Sequence, residues 1–347
     1  MTTEKKISGK KIVLIGGAGF IGHNLALKLV KYGAEVHVID GLQVNNLLQF
    51  AASDNGIVHR HLYLQMINER LDLLRKTDIH LHMQDAREYH DLSHTLAKIK
   101  PDVIIHLAAI SHAGRSNKDP YSTFDHSLRT LENALDCARD TVGQFIYLSS
   151  SMAYGNFQTP EVEEEHPLNP IGIYGALKLA GEKIVIAYQQ VFNLSYTIIR
   201  PSALYGPRCV SRRVGQIFIE NALMGEKLKV EGDGNEKLDF TYIEDFAEGV
   251  CLTIDQPAAK NQVFNLTYGQ SRSIKDLVKV IQNHFPKVEI DYIARDKLMP
   301  FRGTLNVDKA KKLLGYSPQH PIEVGFSQYI DWYQTLFHSN PRIHTGV

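Results

Sequence analysis

Six short apolar runs punctuate the first 200 residues: KKIVLIGG (10–17), AEVHVID (34–40), DIHLHMQD (78–85), DVIIHLAA (102–109), QFIYLSSS (144–151) and LSYTIIRPS (194–202). Runs of this length, rich in β-branched residues and separated by stretches with helical spacing, predict parallel strands covered by helices on both faces. The fold class is therefore α/β, a doubly wound parallel sheet. After Arg200 the pattern changes, with Pro and Gly punctuation in RPSALYGP (200–207) and GDG (232–234), and ends in an aromatic helix around Trp332. A second, smaller lobe is expected to begin there, giving residues 1–200 plus roughly 238–268 to the sheet domain and 201–237 plus 269–347 to the lobe. The connection Val44 to Thr77 is long for a strand-to-helix turn. Within it LYLQMINERLDLL (62–74) carries apolar residues at helical spacing and predicts a helix.

Charge sharpens the picture by exclusion. Lys plus Arg and Asp plus Glu both number 38, so there is no global pull toward nucleic acid or an anionic membrane. Any anionic partner must be held by a local cluster. The three cysteines, Cys137, Cys209 and Cys251, are sparse, odd in number and without C-x-x-C spacing, which fits a reducing compartment. The N-terminus MTTEKKISGKK is polar, and no apolar run approaches the roughly 18 residues of a membrane span. A cytoplasmic protein is expected, and the sequons at Asn193 and Asn265 are chance matches.

The first chemistry-bearing motif follows the first predicted strand. Gly16, Gly19 and Gly22 stand in G-x-x-G-x-x-G spacing, with Phe20 and Ile21 inside the turn, and open the amphipathic helix FIGHNLALKLVKYG. Such a turn admits a pyrophosphate onto the free N–H groups and positive end of the helix. Asp40 closes the second strand, where a carboxylate accepts hydrogen bonds from an adenosine ribose and repels a 2′-phosphate, so NAD is favoured over NADP. Asp85 with Ala86, Leu107-Ala108-Ala109 and Pro201 follow later strands, on the edge where open α/β sheets bind ligands.

A second motif lies in IYGALKLAGEKIVIAYQQVF, where Tyr174 and Lys178 share a helix face. A phenol is a poor base at neutral pH, and an adjacent ammonium favours the phenolate. The pair could take a proton from a substrate hydroxyl while hydride leaves the same carbon. The serine run SSSMAYG (149–155) ends the fifth strand and supplies hydroxyls at the same edge.

Together these residues resemble the extended short-chain dehydrogenase/reductases, in the nucleotide-sugar epimerase and dehydratase branch. The resemblance rests on GGAGFIG (16–22), HLAA (106–109), SSSMAYG (149–155), YGALK (174–178), RPSALYGP (200–207), VEGDGNEKLDFTYIEDF (230–246) and LNVDKAKKLLGYSP (305–318), and covers nearly the whole chain. It implies a Rossmann domain holding NAD, a smaller C-terminal lobe for a nucleoside-diphosphate sugar, and a catalytic set Ser150, Tyr174 and Lys178. Relatives that dehydrate or decarboxylate carry an acid within the three residues starting at the active hydroxyl. Here those are Ser150, Ser151 and Met152, which favours 4-epimerisation. A 4-dehydrogenase or reductase is the second reading, and a non-catalytic NAD-binding scaffold the third.

The chain also departs from its relatives. Asp125-His126-Ser127 replaces a usual D-x-N, Ala203 a usual Asn, Leu238 a usual Arg, and His112 and Arg115 stand in the active-site loop. Without an Arg at 238, Arg208, Arg212, Arg213 and Arg302 are the candidate partners of a substrate pyrophosphate. Ser111, His112, Ser151 and Met152 complete the expected substrate contacts. Two His-x-His pairs, His59 with His61 and His80 with His82, could build a zinc site, but they read as ordinary helix-packed or solvated histidines, and no metal is expected. The acidic run Glu161 to Glu165 reads as an exposed loop. The helices 119–139 and 174–192 form an intersubunit bundle in the resembled family, which implies a homodimer.

Overall fold

The computed structural model describes residues 6–51, 58–110 and 113–338. All six apolar runs are strands. Five are β1 (Lys11–Ile15), β2 (Glu35–Asp40), β3 (Ile79–Met83), β4 (Val103–His106) and β5 (Gln144–Leu148), followed by Tyr196–Arg200. They lie in one sheet of seven strands, in the order Gln262–Asn265, Tyr196–Arg200, β5, β4, β1, β2, β3. Every pairing is parallel. The strand order reverses between β1 and β4, which opens a crevice at their C-terminal ends. The seventh strand, QVFN, is too short to show a pattern in sequence.

Alternation along each strand divides the apolar residues between two layers. Ile12, Leu14, Val36 and Val38 face α1 (Phe20–Lys31) and the helix Arg60–Lys76, in one core with Leu25, Leu29, Tyr63 and Met66. Val13, Ile15 and Ile39 face the opposite side and pack with Leu92, Leu96, Leu131 and Leu135. Both faces are covered from β1 to Tyr196–Arg200, which explains why those runs are apolar throughout, whereas the edge strand β3 leaves His80 and Met83 exposed.

The helix expected at 62–74 is present and slightly longer. It carries Tyr63, whose hydroxyl donates to Glu220 at 2.7 Å, while Tyr333 donates at 2.9 Å and Gln216 at 2.8 Å to the same carboxylate. Glu220 has no solvent exposure. One buried acid thus joins the long connection, the helix Val214–Leu223 and the C-terminal helix Ile322–His338. The aromatic C-terminal helix lies where the sequence places it.

One expectation is corrected, and one expected helix is present with an irregular turn. The run 161–165 is not a simple exposed loop: Glu161–Val162 pairs in parallel with Thr304–Leu305. Glu164 is buried and accepts from the Asn265 N–H at 2.8 Å. The helix 119–139 is also not regular. It runs from Pro120–Phe124 through a π-helical turn, Asp125–Arg129, into Thr130–Ala138. No helix among the described residues is long and apolar enough to cross a membrane.

Glu220→Ala leaves two phenols and an amide without their buried acceptor. It is expected to destabilise the protein by about 2–4 kcal/mol, read as a lower urea midpoint at unchanged m-value.

Candidate active site

A cavity of about 1070 Å³ opens along the C-terminal strand ends and continues between the helix Val214–Leu223 and the segments around Leu238 and Arg302. Gly16, Gly19, Phe20, Ile21, Gly22, Asp40, Asp85, Ala86, Leu107, Ala108, Ala109 and Pro201 line its sheet side. Ser150, Ser151, Met152, Tyr174 and Lys178 line its middle, with Arg212, Arg213 and Arg302 beyond them. Ser111 and His112 lie outside the described residues.

The sheet end is shaped by backbone. Gly16 holds a φ of +80°, and a Cβ there would lie 2.8 Å from the Ala108 nitrogen. Gly22 lets α1 approach so closely that a Cβ would sit 2.4 Å from the Gly17 Cα. Gly19 caps α1 without a side-chain bond, and no acid stands in the first turn. A Cβ on Gly19 would meet only the Gly16 carbonyl, at 3.4 Å, so the helix terminus faces open cavity. Free N–H groups, a positive dipole end and that space fit a pyrophosphate. Asp40 accepts from the N–H groups of Ala18 at 2.9 Å and Leu42 at 2.7 Å. Enclosure pushes its carboxyl up, and these two bonds oppose that shift. A carboxylate has about four acceptor positions, so two remain for ribose hydroxyls.

Further along this edge, Asp85 is gripped by Arg87 and accepts from Gln43 at 2.9 Å. Burial disfavours its charge, but the hydrogen bonds from Arg87 and Gln43 hold the carboxyl down at about 2. Arg87 also pairs with Asp125 at 2.7 Å, and His126 meets Gln43 at 3.1 Å. The π-helical turn aims Asp125 and His126 at this network, and His126 and Thr130 line the cavity. Sequence reasoning missed Gln43, Arg87 and Thr130. The departure Asp125-His126-Ser127 was the available signal, because π turns concentrate at functional sites.

The helix Gly172–Phe192 presents Tyr174, Lys178 and Glu182 as one stripe toward the end of β5. The Ser150 hydroxyl accepts from the Met152 N–H at 3.1 Å and lines the cavity together with the Tyr174 phenol. The Lys178 ammonium donates to the Leu148 carbonyl at 2.6 Å and lies 6.0 Å from the Tyr174 ring centre. Glu182 accepts from the Ser149 hydroxyl and pairs with Arg200 at 2.7 Å. Burial pushes the Tyr174 phenol up, while the Arg213 charge and the Ser150 hydrogen bond pull it down. Arg213 thus adds positive charge on the cavity side of the phenol, beyond that of Lys178 on the same helix. Lys178 is itself brought down to about 8 by burial, against the opposing charge of Glu182.

The four candidate arginines separate. Arg208 turns away from the cavity, bonding His23 at 3.0 Å and pairing with Glu69 at 3.0 Å. Arg212 bonds the Tyr63 hydroxyl at 2.9 Å. Arg302 is enclosed, and its Nε is buried without a hydrogen-bond partner. Burial first, then the neighbouring charges of Arg213 and Arg295, bring its guanidinium down to about 10. Such crowding of cations around an unsatisfied guanidinium suits an incoming anion. Arg295, which sequence reasoning overlooked, stacks over Phe301 at 4.0 Å and pairs with Glu236 at 3.0 Å.

Comparison with known proteins agrees with this geometry. Residues 12–267 match the model of the NAD dependent epimerase/dehydratase family. The chain is 29% identical over 332 residues to the uncharacterized UDP-glucose epimerase YtcB of Bacillus subtilis (strain 168), covering 94% of this chain and 99% of that protein. It is 27% identical over 332 residues to the UDP-glucose 4-epimerase of Mycolicibacterium smegmatis, covering 93% and 98%. The crystal structure of UDP-glucuronic acid 4-epimerase from Bacillus cereus, in complex with UDP-glucuronic acid and NAD, superposes with a TM-score of 0.84 at 25% identity. That match covers 94% of this chain and 99% of the other.

The Lys178 environment has a stability signature. Unfolded chains hold this proton up to about 10.5, whereas the folded protein releases it near 8. The unfolded state therefore binds more protons between those values, and stability rises with pH across them. Relative to Lys178→Met, the wild type is expected to gain about 3 kcal/mol between pH 7.5 and 10.5 in chemical denaturation, and equal pH slopes would contradict this.

Proposed function

The chain belongs to the NAD dependent epimerase/dehydratase family, and we propose that it is an epimerase of a nucleoside-diphosphate sugar, inverting carbon 4 by transient oxidation and re-reduction. NAD, when bound at the α1 terminus with its ribose on Asp40, supplies the hydride acceptor and donor. The observation that carries the reading is that Ser150, Tyr174 and Lys178 line one stretch of the cavity at the open end of β5, with Ser151 and Met152 beside them. Tyr174 removes the 4-hydroxyl proton and later returns it, and Ser150 steadies the same oxygen. Lys178, anchored on the Leu148 carbonyl, supports the nicotinamide-side wall of the site. No carboxylate stands at 150–152 for the further proton transfers of dehydration or decarboxylation.

Arg302 and Arg213 hold the substrate pyrophosphate in this reading, and they take the place of the arginine that Leu238 lacks. Bidentate guanidinium donors match phosphate oxygens better than a single ammonium. The second lobe then receives the nucleoside, with Arg295 on Phe301 forming its far wall.

Purified protein incubated with UDP-, GDP-, CDP- and dTDP-sugars is expected to form a 4-epimer without added NAD, read by chromatography. Stoichiometric NADH accumulation would identify a dehydrogenase instead. Tyr174→Phe is expected to lower kcat by about 10²–10⁴-fold, and wild-type turnover in that variant would refute the proton-transfer role.

We also propose a homodimer in the cytoplasm. Tyr121 (84% exposed), Phe124, Val191 and Phe192 are apolar surface on the two helices expected to pair, and Cys137, Cys209 and Cys251 are all free thiols. Light scattering is expected to give twice the chain mass of 39.1 kDa, with Tyr121→Glu plus Val191→Glu shifting it toward the monomer.

A further inference from the structure

The His-x-His pair on β3 is not solitary. In the parallel register of β2 and β3, His37 lies opposite His80. Side chains two apart on a strand share a face, so Glu35 and His37 of β2 project beside His80 and His82 of β3. One donor atom from each of Glu35, His37 and His80 lies within 4.8 Å of the others. His37 Nε2 is 3.0 Å from Glu35 Oε1, and His37 Nδ1 is 3.1 Å from His82 Nε2. None of these residues lines the cavity.

We propose that Glu35, His37 and His80 form a binding site for a divalent transition metal of the zinc class. Two imidazoles and a carboxylate, with one coordination position left to water, are a donor set suited to Zn²⁺ or Co²⁺. Donors about 2.0–2.2 Å from a tetrahedral ion stand roughly 3.3 Å apart. The closure required is therefore about 1.5 Å at most, and it falls on the exposed side chains Glu35 and His80, the latter tilting out of its stack on the His37 ring at 4.6 Å. His37 is buried and already fixed between its neighbours.

The His37–His82 contact gives the site its outer shell. A lone pair of His37 Nε2 and a carboxylate oxygen cannot face each other at 3.0 Å with nothing between them. Without metal, a proton on Nε2 fills that gap, and Nδ1 accepts from His82 Nε2–H. When the ion takes Nε2, the His37 proton moves to Nδ1 and is donated to His82 Nε2, while the His82 proton moves to its own Nδ1. Both rings stay neutral and no net proton is released. A ligating histidine whose second nitrogen is held by a partner is the usual arrangement of metal sites. Lys11, 3.6 Å from Glu35, is the nearby competing cation, and its side chain is 43% exposed and can swing outward.

The pairing of residues from two strands explains why sequence alone argues against a metal. Of the pair His80 and His82 only His80 is a ligand, and the other two, Glu35 and His37, come from the earlier strand β2, which reads as a plain apolar run. His59 and His61, the other flagged pair, sit at the start of the helix Arg60–Lys76 and take no part.

The test uses untagged, chelator-treated full-length protein titrated with CoCl₂, read by visible absorption, and with ZnCl₂, read by calorimetry. One equivalent is expected to bind with a tetrahedral or five-coordinate Co²⁺ spectrum. His80→Gln and Glu35→Gln, both surface changes, are expected to weaken Zn²⁺ binding at least tenfold with thermal midpoints in metal-free buffer near wild type. His61→Gln is expected to bind as wild type, and His82→Gln to weaken binding several-fold without abolishing it. Absence of a stoichiometric site, or unchanged affinity in both His80→Gln and Glu35→Gln, would overturn the proposal. Epimerase turnover of His80→Gln is expected to match wild type, so failure of the metal site and failure of the proposed reaction are read separately.

Discussion

The ion pair between Glu182 and Arg200 organises the catalytic edge. Its side chains are 2% and 3% exposed, and the guanidinium meets both carboxylate oxygens. Removing two charges from water costs several kcal/mol each, so such a pair persists only when further hydrogen bonds complete it. Here Arg200 also bonds the Tyr154 hydroxyl and the Glu164 carbonyl, and Glu182 also takes the Ser149 hydroxyl. The pair therefore ties the helix bearing Tyr174 to the last long strand and to the serine run at the end of β5. If Glu182 moved by one helical turn, Lys178 and Tyr174 would move with it, away from Leu148 and Ser150.

This rigid stripe accounts for much of what was legible. The i, i+4, i+8 spacing of Tyr174, Lys178 and Glu182 is a local property of one helix, and the glycine turn is a local property of one strand-helix junction. Six of the seven sheet strands were likewise visible, because a strand buried on both faces must be apolar along its whole length. The seventh was not, since Gln262–Asn265 joins an existing edge through four residues. The long connection showed its helix but not its role. That Tyr63 reaches Glu220 and Arg70 reaches the Arg208 carbonyl depends on tertiary contacts that no spacing encodes.

Charges were the least legible element. Arg208 and Arg302 are equally plausible anion ligands as letters in a sequence, yet one is neutralised by Glu69 and the other is enclosed with an unsatisfied nitrogen. Glu164 shows the converse: within an acidic run that suggests solvent, it is buried because the Asn265 N–H needs an acceptor. The pairing of phenol and cation followed the same rule. Proximity along the helix pointed to Lys178, whose ammonium lies 6.0 Å from the Tyr174 ring, but no spacing showed that Arg213 adds its charge from across the cavity.

That distribution separates chemistry from selection. The proton-transfer apparatus is built from one helix and one strand end, held by a buried network that tolerates little change. Arg213 and Arg302, the groups proposed to meet a substrate's pyrophosphate, come from distant segments of the chain and reach the cavity only through the fold. Backbone N–H groups at α1 require no side-chain ordering to receive an anion, whereas guanidinium groups must be held against mutual repulsion until one arrives. A chain with no net charge can still concentrate positive potential in two places: peptide dipoles at one end of the cavity and crowded arginines at the other.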